Sequence, residues 1–372
     1  MITGSSCGKA LASLFVMLVG AGCLTPAAAN DGAVAAEKTD TIRILGVGNS
    51  WTRDSMRQLW AIAQSAGRPV IVGHAYLGGS RLEDQFLGLE DPTYGYTHSG
   101  QSQKVHATYQ YWKYKDGPAP VKEPAKGYHN GLAGRGVTLE RAVSDEPWDW
   151  IVFQPEATLG GDYPRHLGQT ETGYDLRLFK ERILEMLPAG TRPRIALMVP
   201  FAYPQGNTDY RQAFIHYYNA DKTPENQTEW DLLYKRQHQL IQAAAPLVAT
   251  HIGADAVINV GAAIGKARED RELSQAGYLL QRSKGNTHLA EGLPMYIASL
   301  CYAYVLLGIR PDEISFYPAD ASYSVSGDRG ETIDSGFILT EALARKAREL
   351  TFKAVVAFPE AVFSGQASPV GK

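Results

Sequence analysis

The chain has 372 residues, 44% hydrophobic and 20% charged, enough apolar material to bury a large core in one big domain or two. Its formal net charge is −3 and it contains no run of Lys or Arg, so nothing favours a nucleic-acid partner. The first thirty residues differ in kind from the rest. Lys9 is their only charge, Leu11–Val19 is an apolar run, and Thr25-Pro26-Ala27-Ala28-Ala29 offers a small-residue cleavage site. This pattern predicts a signal peptide over 1–29, too short for a membrane anchor, and an exported, periplasmic or secreted protein.

A cysteine just after an apolar run can carry a lipid. Gly20-Ala21-Gly22-Cys23 lacks the leucine usual three residues before such a cysteine, so cleavage near Ala29 is the expectation. That cut removes Cys7 and Cys23. It leaves Cys301, in the apolar run IASLCYAYVLLG, as a buried thiol and the mature chain without an internal disulfide. Residues 30–40 form a polar, alanine-rich lead-in.

From Thr41 to Trp60 the chain reads as a buried strand (Ile42, Ile44, Leu45, Val47), a turn at Gly48-Asn49-Ser50, and a helical stretch with Met56, Leu59, Trp60 and Ala63 on one side. A serine between a first buried strand and a helix is where an α/β protein can present a nucleophile, with helix N-terminal amides facing a developing oxyanion. Asn49 or Ser50 acting only as a helix cap is the plainer alternative. A second strand, Pro69–Ala75, ends at Leu77-Gly78-Gly79-Ser80. There the glycines permit positive φ or a close backbone approach, and their amides could face the crevice at the C-terminal ends of the strands; an ordinary turn is the alternative.

Residues 90–146 read as an irregular insertion rich in aromatics and His: Tyr94, Tyr96, His98, His106, Tyr109, Tyr111, Trp112, Tyr114, Tyr128 and His129. Such a segment suits a wall or lid with sugar-stacking faces, or a packed surface insertion. Its histidines lack metal-ligand spacing, so no metal is expected. Trp148–Glu156 is a third strand that brings Gln154 to the crevice, Leu176–Met186 a helix, and Arg194–Pro200 a fourth strand. Residues 203–230 form a second aromatic excursion before a helix over Asp231–Ala245. Val248–Val260 carries a fifth strand with His251 and Asp255, and Gly261–Arg268 reads as helix or turn. Strands alternating with helices predict a parallel sheet covered on both faces. Ser283–Gly292 is a polar loop carrying His288 into the helix Leu293–Leu307, where a histidine can reach back to a nucleophile or simply cap. Residues 313–372 form an appendage packed on the same domain, with an amphipathic helix around Gly336–Leu350.

In this order the pieces resemble the SGNH hydrolase superfamily, and more closely its bacterial exported DUF4886 branch, over roughly Thr41–Ile309. The resemblance rests on ILGVGNSW, YLGGSRLE, WDWIVFQPEA, VGAAIGKAR and NTHLAEG followed by MYIASLCYAY. It implies a three-layer α/β/α sandwich with a central, mainly parallel sheet, flavodoxin-like, over 41–312. It also implies Ser50 as nucleophile, His288 as base, and an oxyanion hole of the Ser50 amide, the Gly79 amide and the Gln154 side chain. The implied reaction is hydrolysis of an O-acyl ester, such as O-acetyl, on a carbohydrate without metal or organic cofactor. The family's histidine block reads Asp-x-x-His, but this chain has Gly285 in place of the Asp. Three outcomes follow: a Ser–His dyad, a substitute carboxylate from Asp255, Glu156 or Glu291, or a catalytically weak or inactive carbohydrate-binding protein.

Overall fold

The computed structural model describes residues 41–98, 101–114, 134–157, 159–203, 227–276, 280–281, 287–319, 324–326, 332–334 and 337–363. The leader with Cys23, residues 115–133 and 204–226 of the two insertions, and Gly285 lie outside the described residues. The first strand, β1 (Ile42–Gly48), pairs in parallel with β2 (Val70–Tyr76) on one side. A short hairpin of β3 (Gly95–His98) and β4 (Gln101–Lys104) follows, then β5 (Tyr109–Tyr114) and β6 (Gly134–Val137). On its other side β1 pairs with β7 (Trp150–Phe153), followed outward by β8 (Arg194–Met198) and β9 (Ala256–Ile258), all parallel. The seven-stranded sheet has the order β6-β5-β2-β1-β7-β8-β9, and β5 alone runs against the rest, antiparallel to β2 and to β6. With β1 central, Ile44, Leu45 and Val47 are fully buried, as a strand covered on both faces requires.

Two glycines show how closely each face is covered. A Cβ on Gly46 would stand 2.4 Å from Thr52 Cγ2 and 2.6 Å from Met56 Sδ, so α1 (Ser50–Met56) lies directly on that face. Gly73, paired with Leu45 and hence on the opposite face, has the Trp148 ring 2.5 Å from the same imaginary atom. On the first face α2 (Leu59–Ser65) follows α1. On the second lie α3 (Leu82–Glu90), α4 (Leu139–Val143) and α6 (Leu176–Glu185), with α5 (Leu159–His166) between the last two in sequence. Phe179 of α6 stands 5.8 Å from Phe153 and 6.2 Å from Phe86, ring centre to ring centre, which ties α6 and α3 to that face. Among the described residues the remaining α-helices are α7 (Gln227–Ile252), α8 (Val260–Glu269), α9 (Leu293–Leu307) and α10 (Glu341–Phe363). Apolar all round, α9 is buried at every residue but Val305. Ser299 of α9 accepts from Gln58 N at 3.0 Å and donates to Ser55 O at 2.8 Å, fixing it to the α1–α2 turn. The molecule is thus a three-layer α/β/α fold around a mainly parallel sheet.

Several elements differ from the reading of the sequence. Much of the expected irregular insertion is regular: Gly95–His98, Gln101–Lys104, Tyr109–Tyr114 and Gly134–Val137 are strand and Leu139–Val143 is helix, and in YQYWKY the alternation that puts fully buried Tyr109 and Tyr111 on one face carried that signal beneath its aromatic content. The helix expected over Asp231–Ala245 continues through Pro246 to Ile252, so His251 is helical and the fifth strand shrinks to Ala256–Ile258. The C-terminal helix likewise runs on to Phe363. It joins the main core through Ala344, Ala347 and Val355, with Leu339 just before it, and its Arg348 carbonyl accepts from the Tyr304 hydroxyl at 3.0 Å.

His166 is buried at the end of α5, with Nδ1 2.9 Å from the Tyr174 hydroxyl. Burial, helped by the Arg165 charge, pushes its pKa down to about 3 from the ordinary 6.5. The folded protein keeps this imidazole neutral, whereas the unfolded chain protonates it below about pH 6.5. Stability from this group is fully present above about pH 6.5 and is lost as pH falls towards 3, by up to about 1.4 kcal/mol per unit. Urea melts should show the wild-type protein losing about 2 kcal/mol more than His166→Gln protein between about pH 7 and pH 5. Equal losses would contradict this assignment.

Candidate active site

At the C-terminal end of β1 the Gly48 carbonyl accepts from Leu77 N at 3.1 Å and from Gln85 Nε2 at 2.7 Å. Asn49 then turns the chain into α1. Its Oδ1 caps the helix by accepting from Trp51 N at 3.0 Å, its Nδ2 donates to Ser80 O at 3.2 Å, and its own N–H donates to Gln154 Oε1 at 3.0 Å. One residue therefore joins the ends of β1, β2 and β7. Because Asn49 does the capping, Ser50 Oγ is left for another partner. The glycine before it is required by space: a Cβ on Gly48 would stand 2.6 Å from both Gln154 Oε1 and Thr52 Oγ1.

The partner of Ser50 Oγ is His288 Nε2, 3.5 Å away and at the outer edge of hydrogen-bonding reach. Nucleophile–base pairs are often this loose before substrate binds. The other ring nitrogen, Nδ1, lies 2.7 Å from Asp54 Oδ2. An ionised carboxylate only accepts, so Nδ1 carries the hydrogen and Nε2 presents its lone pair to the serine. Ser50 and Asp54 are four residues apart on α1, which puts both on one helix face. Asp54 is fully buried, a costly place for a charge without partners. Besides His288 it has the Arg53 guanidinium 3.5 Å from its second oxygen.

None of the three carboxylates expected from the sequence orients the imidazole. Asp255 precedes β9 at the opposite end of the sheet, where its Oδ2 accepts from Ile195 N at 2.7 Å. Glu156 stands 3.6 Å from Arg81 Nε, and Glu291 3.8 Å from Arg57 Nη2. Each is held by another partner. Asp54 lies 234 residues from His288 in the chain and meets it only in the fold. The available signal was the spacing Ser-x-x-x-Asp within the predicted helix.

The expected oxyanion donors divide into two kinds. Among the described residues, the N–H groups of Ser50 and Gly79 meet no acceptor, and Gly79 adopts φ +66, the left-handed region that glycine enters freely. Gln154 is instead a brace. Its Oε1 receives Asn49 N–H and the Thr52 hydroxyl, each at 3.0 Å, while Nε2 donates to Pro155 O at 2.5 Å. A donor on one side and an acceptor on the other fix which way this buried amide points. Beside the serine, Trp51 stacks on Phe201 with centres 4.4 Å apart and meets Tyr203 edge-on at 5.4 Å. Among the described residues no three His, Cys, Asp or Glu side chains gather where a metal ion could be held, and no helix is long and apolar enough to cross a membrane.

No family model matches the chain, and no curated protein matches it. Among solved structures it is similar to a DUF4886 family protein from Bacteroides uniformis, with a TM-score of 0.55 and 18% sequence identity. The match covers 85% of this chain and 95% of the other. The two share a fold. At this identity the likeness extends no further than the architecture that carries the site.

The packing at Gly48 gives a direct test. Gly48→Ala must displace Gln154 or Thr52, at a cost of about 1–3 kcal/mol. Gly78→Ala, where nothing lies within 4 Å of the added atom, should stay within about 0.5 kcal/mol of wild type. Chemical denaturation of the two variants checks the contrast.

Proposed function

We propose that the protein is a serine esterase of the SGNH hydrolase type, cleaving an O-acyl ester such as O-acetyl from a carbohydrate. The observation that carries this reading is His288, hydrogen-bonded through Nδ1 to buried Asp54 while Nε2 faces Ser50. The ordered sequence blocks around Ser50, Gly79, Gln154 and His288 support the superfamily and the substrate class, and the leader-like first thirty residues support an exported location. The alternative, an inactive carbohydrate-binding protein, rests on Gly285 and on the aromatic insertions; the Asp54 contact answers the first of these, because it gives the imidazole a carboxylate from α1.

In this reading His288 Nε2 takes the Ser50 hydroxyl proton as Oγ attacks the ester carbonyl. Asp54 holds the tautomer and stabilises the imidazolium that forms. The Ser50 and Gly79 amides receive the oxyanion, while Gln154 holds the turn that carries the first of them; losing one such donor costs roughly 3 kcal/mol, about two orders of magnitude in rate. The imidazolium then protonates the departing sugar oxygen, leaving the acyl group on Ser50. Water, deprotonated by the same nitrogen, releases the acid and restores the serine.

Purified protein should release acetate from an activated acetyl ester, and Ser50→Ala should abolish release. Asp54→Asn should lower kcat by about two to four orders of magnitude with little change in KM. Gly285→Asp should gain little, since Nδ1 already has its acceptor. Full activity in Ser50→Ala protein would sink the proposal, and a large gain in Gly285→Asp protein would show that Asp54 does not serve the imidazole.

A further inference from the structure

The β3–β4 hairpin lies outside the sheet, yet one of its side chains reaches the glycine turn. The Tyr96 hydroxyl donates to Gly78 O at 2.7 Å, and Gln103 Oε1 lies 3.2 Å from the Tyr96 hydroxyl oxygen. Tyr96 is almost fully buried, and burial, with Asp84 nearby, pushes its pKa up to about 12, so the phenol keeps its hydrogen at neutral pH. The hairpin is itself fixed on α3. Val105 fills the notch at Gly88, where a Cβ would come within 2.2 Å of it, and the Tyr94 hydroxyl donates to Asp84 Oδ1 at 3.0 Å.

The carbonyl of Gly78 and the N–H of Gly79 belong to one planar trans peptide and point in opposite directions. Holding the first therefore aims the second. A Gly–Gly peptide needs such a hold, because neither neighbour has a Cβ to bar rotation of the whole unit. The ends of the turn have their own ties: Leu77 N to Gly48 O, Ser80 N to Leu77 O, and Ser80 O to Asn49 Nδ2. Those bonds fix the ends of the turn and leave the middle peptide to Tyr96.

We propose that Tyr96 is a positioning residue for the oxyanion hole, fixing the Gly78–Gly79 peptide so that the Gly79 N–H faces the crevice. Its catalytic consequence rests on the esterase reading above.

The test is Tyr96→Phe, which removes one oxygen, with Tyr94→Phe as a control that loosens the hairpin without touching Gly78. In protein labelled with 13C-carbonyl and 15N glycine, only the two Gly–Gly peptides, 78–79 and 160–161, give a labelled carbonyl next to a labelled amide. The Gly78 carbonyl signal should move upfield in Tyr96→Phe and stay in place in Tyr94→Phe. The kcat for an activated acetyl ester should fall at least tenfold in Tyr96→Phe, with KM within twofold of wild type, and remain within twofold in Tyr94→Phe. An unmoved carbonyl signal, an unchanged kcat, or equal losses in both variants would overturn the proposal. Wild-type protein that neither turns over nor reacts with a fluorophosphonate at Ser50 would overturn the esterase reading and this catalytic role, while the carbonyl signal would still report whether Tyr96 holds the peptide.

Discussion

The hydrogen bond from His288 Nδ1 to Asp54 Oδ2 joins residues 234 positions apart and sets the chemistry open to the site. Its geometry depends on α1, a seven-residue helix that presents Ser50 and Asp54 one turn apart to a single imidazole. So short a helix would not hold its shape alone. It is held at its start by Asn49 and Gln154, beneath by the close approach of Thr52 and Met56 to Gly46, and along its side by the Ser55–Ser299 bond to α9. Ser50 and Asp54 thus move as one rigid piece, and only the imidazole must be brought to them. The buried, almost wholly apolar α9, which begins five residues after His288, provides the anchor for that third member.

Much of the fold was legible because its core strands are unusually plain. The runs IRILGVG, VIVGHAY, WIVF and RIALM are mostly apolar, as parallel strands buried on both faces must be, and the first and third end where Asn49 and Gln154 begin. The antiparallel edge was not legible, since in Tyr109–Tyr114 a two-residue alternation is written almost entirely in large aromatic residues. The run from Gln227 to Ile252 misled for another reason. Pro246 reads locally as a stop, but packing by Ile241, Ala245, Val248 and Ile252, all buried, carries the helix past it.

At the site, the chain order of Ser50, Gly79, Gln154 and His288 could be read directly, because each lies at or beside the C-terminal end of a strand or at the start of a helix. The carboxylate beside His288 could not be read by the same rule, since Asp54 belongs to the helix of Ser50 and meets His288 only in three dimensions. Gln154 carries a similar lesson. A side chain arriving at the crevice suggested a donor to substrate, whereas its carbonyl oxygen proves to be the bond that fixes the Gly48–Asn49 turn. Tyr96, one aromatic among many in a stretch that resembled a lid, gains its meaning only from the carbonyl it touches.

The claim on which the rest turns is that Asp54 and His288 act on Ser50 as one unit. It is tested most directly by the rate at which a fluorophosphonate labels Ser50 in wild-type, Asp54→Asn, His288→Gln and doubly substituted protein, followed by intact mass. If the two side chains form one relay, each single change slows labelling strongly and the double change slows it no further than the worse single change. Effects that multiply in the double variant would show that Asp54 acts independently of His288, and would contradict the account.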